Sequence, residues 1–311
     1  MVTAGPRHLA LVGTTASGKS ALAMAVARED PRLEILSVDS MQVYRGMDIG
    51  TAKPTPAERA EVPHHLIDLA DPSEDFTLAR YVATAREALA EVESRGHRAL
   101  LVGGTGLYLR AIVDDLDVPG QYPEVRAELE AEPDTPTLHR RLVGVDPVAA
   151  GRMEPTNRRR VVRALEVTLG SGRPFSSYGP GLDVYPPTRF HQVGVQLPHE
   201  VVARRVEARY HQQMADGFLE ETRALLAAPG GMSRTARQAL GYAELIDHLE
   251  SGRPLEEALA TAIRRTRRFA RRQRSWFRRD PRIRWLHALD DPLALLPGLR
   301  IEVASLDDRA T

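Results

Sequence analysis

The octapeptide Gly13-Thr14-Thr15-Ala16-Ser17-Gly18-Lys19-Ser20 has the spacing of a phosphate-cradling loop: a glycine, four free positions, then Gly-Lys-Ser. Few sequence features restrict a fold so strongly, because such a loop works only between a buried strand and the start of a helix. Both flanks comply. Residues 9–12 form a short apolar run suited to a strand, and Ala21-Leu22-Ala23-Met24-Ala25-Val26-Ala27 is rich in helix formers. Backbone N–H groups of the loop and the helix N-terminus would surround phosphate oxygens, Lys19 would add a point charge, and the Ser20 hydroxyl a Mg²⁺ ligand. The pattern leaves open whether the phosphate belongs to ATP, GTP or another ligand.

Alternation of strand and helix continues after the loop. Residues 33–38 read as a second strand that delivers Asp39-Ser40 to its C-terminal end, the edge where parallel sheets bind ligands. Residues 45–54 are too polar and Gly-rich for core and read as a loop near that edge. Between 77 and 95, Leu78, Tyr81, Val82, Ala85, Leu89 and Val92 recur at helical spacing, with Gly96 placed to end the helix. Residues 99–102 give a third strand, followed by Gly103-Gly104-Thr105-Gly106 and a short helix to Val113. The expected class is therefore α/β, a three-layer P-loop fold around a parallel sheet with right-handed crossovers.

From Asp114 onward the pattern changes. No strand is legible, prolines recur, and Thr135-Pro136 and Asp146-Pro147 each read as an N-cap followed by Pro at the first helical position. Residues 114–187 are expected to form a small helical insertion, with 1–113 and 188–311 as the core. Residues 191–195 read as a strand returning to the sheet. Val202, Val206, Tyr210, Met214 and Phe218 mark the buried stripe of one long helix, and residues 283–286 an edge strand. A chain of 311 residues, 42% hydrophobic, is long enough for a large core and a second small unit.

Lys+Arg and Asp+Glu both count 42, so only local clustering can attract a polyanion. Such clusters exist at Asn157-Arg158-Arg159-Arg160-Val161-Val162-Arg163 and through residues 264–279, where arginines interleave with Phe269, Trp276 and Phe277 and no acidic residue intervenes. Arginine forks suit phosphodiester oxygens and aromatic rings stack on bases, which suggests one basic surface assembled in space; a solvated helix face is the plain alternative. With no cysteine, disulfides, thiolate metal sites and Cys nucleophiles are excluded. No apolar run reaches the ~18 residues of a membrane span, and residues 1–8 lack a signal-peptide apolar region, so cytoplasm is the expected location.

Asp39 is the first candidate for chemistry, as general base or Mg²⁺ partner, against a role capping its own turn. Thr105 is the second, because the flanking glycines let backbone and hydroxyl approach a ligand closely; a plain tight turn has the same signature. His64-His65 are adjacent and read as turn or packing residues instead of metal ligands.

Taken in order, the segments Gly13 to Ser20, Ser37-Val38-Asp39-Ser40-Met41-Gln42-Val43-Tyr44, Met47-Asp48-Ile49-Gly50-Thr51-Ala52-Lys53-Pro54, Val102-Gly103-Gly104-Thr105-Gly106-Leu107-Tyr108, Arg160-Val161-Val162-Arg163-Ala164-Leu165-Glu166, Gln238-Ala239-Leu240-Gly241-Tyr242 and Arg272-Gln273-Arg274-Ser275-Trp276-Phe277 resemble the bacterial tRNA dimethylallyltransferase (tRNA isopentenyltransferase) family. The resemblance implies that the loop, Gly13 to Ser20, binds the diphosphate of dimethylallyl diphosphate, and that the prenyl group passes to N6 of the adenosine 3′ of the anticodon in tRNAs reading codons that begin with U. It implies Asp39 as the base that takes the N6 proton. Lys19, Thr105, and Ser20 with Mg²⁺ would hold the diphosphate. An arginine of the long helix would join them, with Arg209 chosen over Arg205 and Arg223. It further implies tRNA contacts at Asp39, Ser40, Met41, Gln42, Arg126, Arg159, Arg160, Arg163, Gln238, Gly241, Tyr242, Arg272, Gln273, Arg274, Trp276 and Arg278. The partners expected are the tRNA anticodon stem-loop and the prenyl donor, with the protein a monomer.

Thr14 departs from the family's usual Pro, and the stretch 120–135 matches loosely. Two other readings use the same residues: a small-molecule kinase, for which the loop holds ATP and Asp39 serves phosphoryl transfer, and a non-catalytic RNA-binding protein. The kinase leaves the two arginine clusters and the Gly-Gly-Thr-Gly turn without a task, and Asp39 beside the loop argues against the binding protein.

Overall fold

The computed structural model describes residues 7–308. The residues before these, read above as lacking a signal segment, lie outside the described part. Two compact units are present, one made from the chain on both sides of an insertion and the other from Asp114–Pro186.

In chain order the first unit begins with β1 (His8–Gly13), α1 (Lys19–Glu29), β2 (Leu33–Val38), α2 (Pro56–Glu61), β3 (His64–His65), α3 (Leu78–Ser94), β4 (Arg98–Gly103) and α4 (Gly106–Val113). The sheet runs β3-β2-β4-β1-β5-β6, every pairing parallel, with β5 and β6 supplied later in the chain. All six residues of β1 and of β2 are buried. That explains why apolar residues dominate both strands: helices cover both faces of a parallel sheet, and the buried exceptions, His8, Glu34 and Ser37, each have hydrogen-bond partners. Register puts Gly103 opposite both Val12 and Val38, and Gly13 opposite Val195. The loops that follow β1, β2, β4 and β5 therefore leave from one edge. β4 separates β1 from β2, so Asp39, at the end of the strand next in sequence, stands two strands from the phosphate loop in the sheet.

β3 was not legible as a strand. Two residues carry no alternation, and the segment is fixed by pairing to Ile35 and Leu36 and by His65 Nε2 bonding to the buried Glu34 at 2.6 Å. The histidines have packing roles, as read above: His64 Nδ1 meets the Val62 carbonyl at 2.7 Å.

The second unit holds α5 (Pro123–Ala131), α6 (Thr135–Val145), α7 (Pro147–Gly151) and α8 (Arg158–Ser171) around a small core that includes Leu129, Leu138, Leu142, Val161 and Leu165. Asp146 caps α7 by accepting from Ala149 N. The cap of α6 is Asp134, which accepts from Thr137 N, and not Thr135. A carboxylate outcompetes the neighbouring hydroxyl for the same orphan amide.

The first unit resumes with β5 (Phe190–Gln196), α9 (His199–Ala215), α10 (Phe218–Ala227), α11 (Arg234–Arg237), α12 (Tyr242–Ser251), α13 (Leu255–Phe277), β6 (Ile283–His287) and α14 (Leu296–Asp308). The apolar stripe read as one long helix is interrupted at Gly217, which takes φ 99° and starts α10. Phe218 still reaches the core that holds Val202, Val206 and Tyr210, so the spacing survives although the helix does not. No helix among the described residues is long and apolar enough to cross a membrane.

Candidate active site

The phosphate loop is shaped by two glycines under close cover. A Cβ on Gly13 would sit 2.7 Å from the Val195 carbonyl, and one on Gly18, at φ 84°, 2.3 Å from Pro292. Ala16 also takes a left-handed φ of 60°, a strained choice that concentrates at ligand sites. Gly18 begins α1 without a side-chain cap, which leaves the first amides of the helix for an incoming acceptor. Lys19 is buried and donates to the Thr14 carbonyl at 2.6 Å. Its burial, above all, pulls its pKa down to about 8; the Asp39 carboxylate opposes that and Arg209 adds to it. Ser20, the proposed metal ligand, is exposed.

Arg209 is the arginine the fold turns inward. On α9, Val202, Val206 and Tyr210 face the core, while Arg205 and Arg209, one turn apart, lie toward the loop. Arg205 Nε donates to the Ala16 carbonyl at 2.9 Å. Arg209 Nε is buried with no hydrogen-bond partner, and burial lowers the guanidinium's pKa while Asp39 raises it. A buried N–H of a cation left without an acceptor is costly unless an anion arrives. Arg223 is exposed and lies 3.9 Å from Glu220.

Asp39 closes its own turn and still leaves one oxygen open. Its Oδ1 accepts Met41 N at 2.8 Å and Gln42 N at 3.4 Å, closing the turn after β2, whereas its second oxygen has no hydrogen bond among the described residues. Thr105 ties the neighbouring loop to this turn: its Oγ1 accepts Ser40 N at 3.3 Å and its own N–H donates to the Val38 carbonyl at 3.4 Å. Burial pushes the Tyr108 hydroxyl up to about 12, with Tyr44 and Asp39 adding to the effect.

Several residues expected to touch tRNA are occupied inside the protein. Gln273 is buried; it accepts from Thr15 N at 2.8 Å and donates to the Gly104 carbonyl at 2.9 Å. Trp276 is partly buried over Gly106, where a Cβ would come within 2.2 Å of its ring. Tyr242 is wholly buried and Gly241 buried beside it. A glycine and an aromatic side by side also describe a helix start pressed into a core, which is where this pair stands. Gln238 is exposed, and Met41 is half-buried against the core.

The arginines divide in the same way. In the insertion, Arg163 and Arg126 bond to the buried Glu166, at 2.8 and 3.4 Å, while Arg159 and Arg160 are exposed without partners among the described residues. On α13, Arg265 pairs with Glu244 and Arg267 with Glu207. These acids come from other helices, so their absence from the run did not leave the whole run unpaired. Arg272 is exposed with its guanidinium 5.7 Å from the Phe269 ring. Arg274 Nε is buried without a partner. Arg274 and Arg278 line a cavity of about 380 Å³ together with Thr14, Gln196, His199 and Arg271.

Residues 45–54 are less like a surface loop than their composition suggested. Met47 is fully buried, and the buried Lys53 Nζ donates to the Tyr44 carbonyl, Asp48 and Asp68 at 2.6 to 2.7 Å. Glu221 and Gln213, which carried no sequence signal, hold this segment from α10 and α9.

Among the described residues no group of three His, Asp or Glu could hold a metal. The donors present, the Ser20 hydroxyl and the open Asp39 oxygen, suit a Mg²⁺ that keeps several waters and takes its remaining ligands from a diphosphate.

Comparison with known proteins gives one consistent result. The sequence matches the IPP transferase family over residues 42–280 and the isopentenyl transferase family over 7–71. It is 50% identical over 297 residues to a tRNA dimethylallyltransferase of Kineococcus radiotolerans, covering 92% of this chain and 93% of that one. The crystal structure of a full-length tRNA isopentenylpyrophosphate transferase from Bacillus halodurans superimposes with a TM-score of 0.71 at 35% identity, covering 98% of each chain. A eukaryotic dimethylallyltransferase solved acting on tRNA has a TM-score of 0.80 over 97% of this chain and 79% of that one; at 24% identity it speaks for the fold alone.

Proposed function

The chain belongs to the IPP transferase family, and on that premise we propose that its phosphate loop holds the diphosphate of dimethylallyl diphosphate while Asp39 deprotonates the tRNA nucleophile. The protein is a transferase that moves a prenyl group to tRNA. The acceptor we assign is N6 of the adenosine 3′ of the anticodon in tRNAs reading U-starting codons. Full-length similarity to tRNA prenyltransferases disfavours the small-molecule kinase reading.

The observation that carries the assignment is the trio Lys19, Arg209 and Asp39, whose charges act on one another at the sheet edge, with Arg209 Nε lacking an acceptor. A diphosphate supplies that acceptor. Lys19, the loop amides and Arg209 then meet the charge that grows on the departing oxygen as its bond to C1 breaks. The N6 lone pair, delocalised into the adenine ring, is a weak nucleophile. Alignment with C1 and loss of its proton to the open Asp39 oxygen both lower the barrier as the N6–C1 bond forms. Thr105 holds the Asp39-Ser40 turn and presents its hydroxyl beside it. Mg²⁺, held by the Ser20 hydroxyl and diphosphate oxygens, would supply further charge neutralisation.

RNA binding is assigned to the exposed arginines of α13 and to Arg159 and Arg160, with Arg272 a phosphate contact whose loss should flatten the salt dependence of tRNA binding. The decisive assay combines purified protein, Mg²⁺, dimethylallyl diphosphate and an unmodified tRNA with adenosine after the anticodon. We expect one dimethylallyl group added per tRNA, and no addition by Asp39→Ala, which keeps tRNA affinity nearly unchanged. Hydrolysis or transfer from ATP with no mass gain on tRNA would return the kinase reading.

A further inference from the structure

Glu221 stands on α10 in a polar stretch that reads as a solvated helix face, yet its carboxylate accepts four hydrogen bonds from within the protein. The donors are the backbone N–H groups of Asp48 (3.0 Å), Ile49 (2.7 Å) and Gly50 (3.1 Å), and the Tyr242 hydroxyl (2.5 Å). Burial, and then the Glu221 charge, keep that hydroxyl protonated far above the usual tyrosine range. Gln213 Nε2 donates to the carbonyls of Ile49 (2.5 Å) and Gly50 (3.2 Å) from α9. Gly50 is wedged between rings, since a Cβ there would lie 2.3 Å from Phe218 and 2.4 Å from Tyr242. Three helices thus fix one turn. Lys53, Asp48 and Asp68 complete the charges around the segment.

The turn passes its position on. Gln42 Nε2 donates to the Thr51 and Ala52 carbonyls at 3.1 and 3.2 Å, and Gln42 Oε1 accepts the Ser37 hydroxyl at 2.6 Å. The backbone N–H of Gln42 and that of Met41 both donate to Asp39 Oδ1. From Glu221 to Asp39 the path alternates hydrogen bonds with short covalent steps: Glu221 to residues 48–50, the chain on to Thr51 and Ala52, their carbonyls to Gln42, and the Met41 and Gln42 amides to Asp39.

We propose that Glu221 is a positioning residue for Asp39: it anchors the 48–50 turn, which through Gln42 sets where the Asp39 carboxylate stands. The proposal rests on the reading of Asp39 as the base. A carboxylate on a loop at a strand end has few contacts of its own, and an error of about 1 Å in such a group can cost on the order of 100-fold in rate. Four donors converging on one carboxylate need two acceptor oxygens with negative charge; an amide offers one oxygen and turns its NH₂ toward the donors.

The test is Glu221→Gln in the full chain, read by steady-state kinetics and by hydrogen exchange at single amides. We expect kcat to fall about 10- to 100-fold with KM for dimethylallyl diphosphate held within about twofold. Exchange should speed up at Asp48, Ile49 and Gly50 and, through the relay, at Met41 and Gln42. Glu221→Asp should restore part of both effects. Faster exchange at 48–50 with unchanged kcat and unchanged Met41 and Gln42 amides would reduce Glu221 to a purely structural anchor and overturn the proposal. Should Glu221→Gln fail to fold, Gln42→Met cuts the relay at its middle. It should loosen the Met41 amide and lower kcat while the 48–50 amides stay protected, and normal kcat there is equally fatal. Asp39→Asn separates the two readings: full activity in that variant removes the base, whereas the exchange at Met41 and Gln42 still reports whether Glu221 positions the turn.

Discussion

The side-chain oxygen of Gln273 accepts the backbone N–H of Thr15 at 2.8 Å, joining the middle of the phosphate loop to a helix 258 positions later. Its amide nitrogen donates to the Gly104 carbonyl, so one buried side chain links the loops after β1 and β4. Gln273→Leu leaves both backbone groups without partners, each worth about 1–3 kcal/mol. The expected result is a lower melting temperature and weaker diphosphate binding. Gln273→Glu keeps the acceptor for Thr15 and should retain most of the loop's protection from hydrogen exchange at that amide. Equal loss of protection in both variants would contradict the bridge.

Arg209 is expected to show opposite effects on stability and binding. Its half-buried guanidinium has a buried, orphaned Nε, so Arg209→Met should raise the melting temperature of the ligand-free protein while weakening diphosphate binding at least about tenfold, the loss of a charge-assisted contact. Arg205 already has the Ala16 carbonyl, and its replacement should affect binding less. Thermal melts with and without diphosphate distinguish the two.

Lys19 makes binding sensitive to pH. With its pKa brought down to about 8 chiefly by burial, the free protein loses this proton well before an ordinary lysine at 10.5. Between those two values the unfolded chain holds a proton that the folded chain has released, so the ligand-free fold gains stability as pH rises through the window. Diphosphate favours the charged lysine. Its binding should therefore take up a proton above about pH 8 and weaken as pH rises further, measurable by calorimetry in buffers of different ionisation heat. Lys19→Met should abolish the uptake.

Glu34 makes the far end of the sheet sensitive to acid. Burial alone would raise its carboxyl, but bonds from Arg95, His65 and His97 outweigh burial and bring it down to about 2 from an ordinary 4.5. Stability from this cluster is complete above about pH 4.5 and disappears as pH falls toward 2. Glu34→Gln should lower stability near pH 7 and remove that part of the acid dependence, a difference that denaturant titrations at pH 7 and pH 3 would reveal.

The first half of the chain was largely legible because its signals are local. A Gly-Lys-Ser turn between an apolar run and an Ala-rich run specifies strand, loop and helix by covalent geometry and burial, and β2, α3 and β4 follow the same rules. Asp39 and Thr105 could be selected because strand ends in a parallel sheet share one edge. Glu221, Gln213 and the bridging role of Gln273 could not, since a Glu or Gln on a helix reads the same whether it faces water or a distant backbone. The burial of Tyr242 and Gly241 was likewise not legible.

By itself the sequence determined the phosphate loop, the class of sheet around it and the residue types available for chemistry, because those follow from propensity, periodicity and spacing along a few turns of chain. Tertiary structure alone decided the rest. It placed β4 between the loop and Asp39, turned Arg209 inward and left its Nε without an acceptor, paired Arg265 and Arg267 with acids from other helices, and closed Gln273 over the loop. Each of these depends on which distant backbone a side chain meets after burial, and no local pattern carries that information.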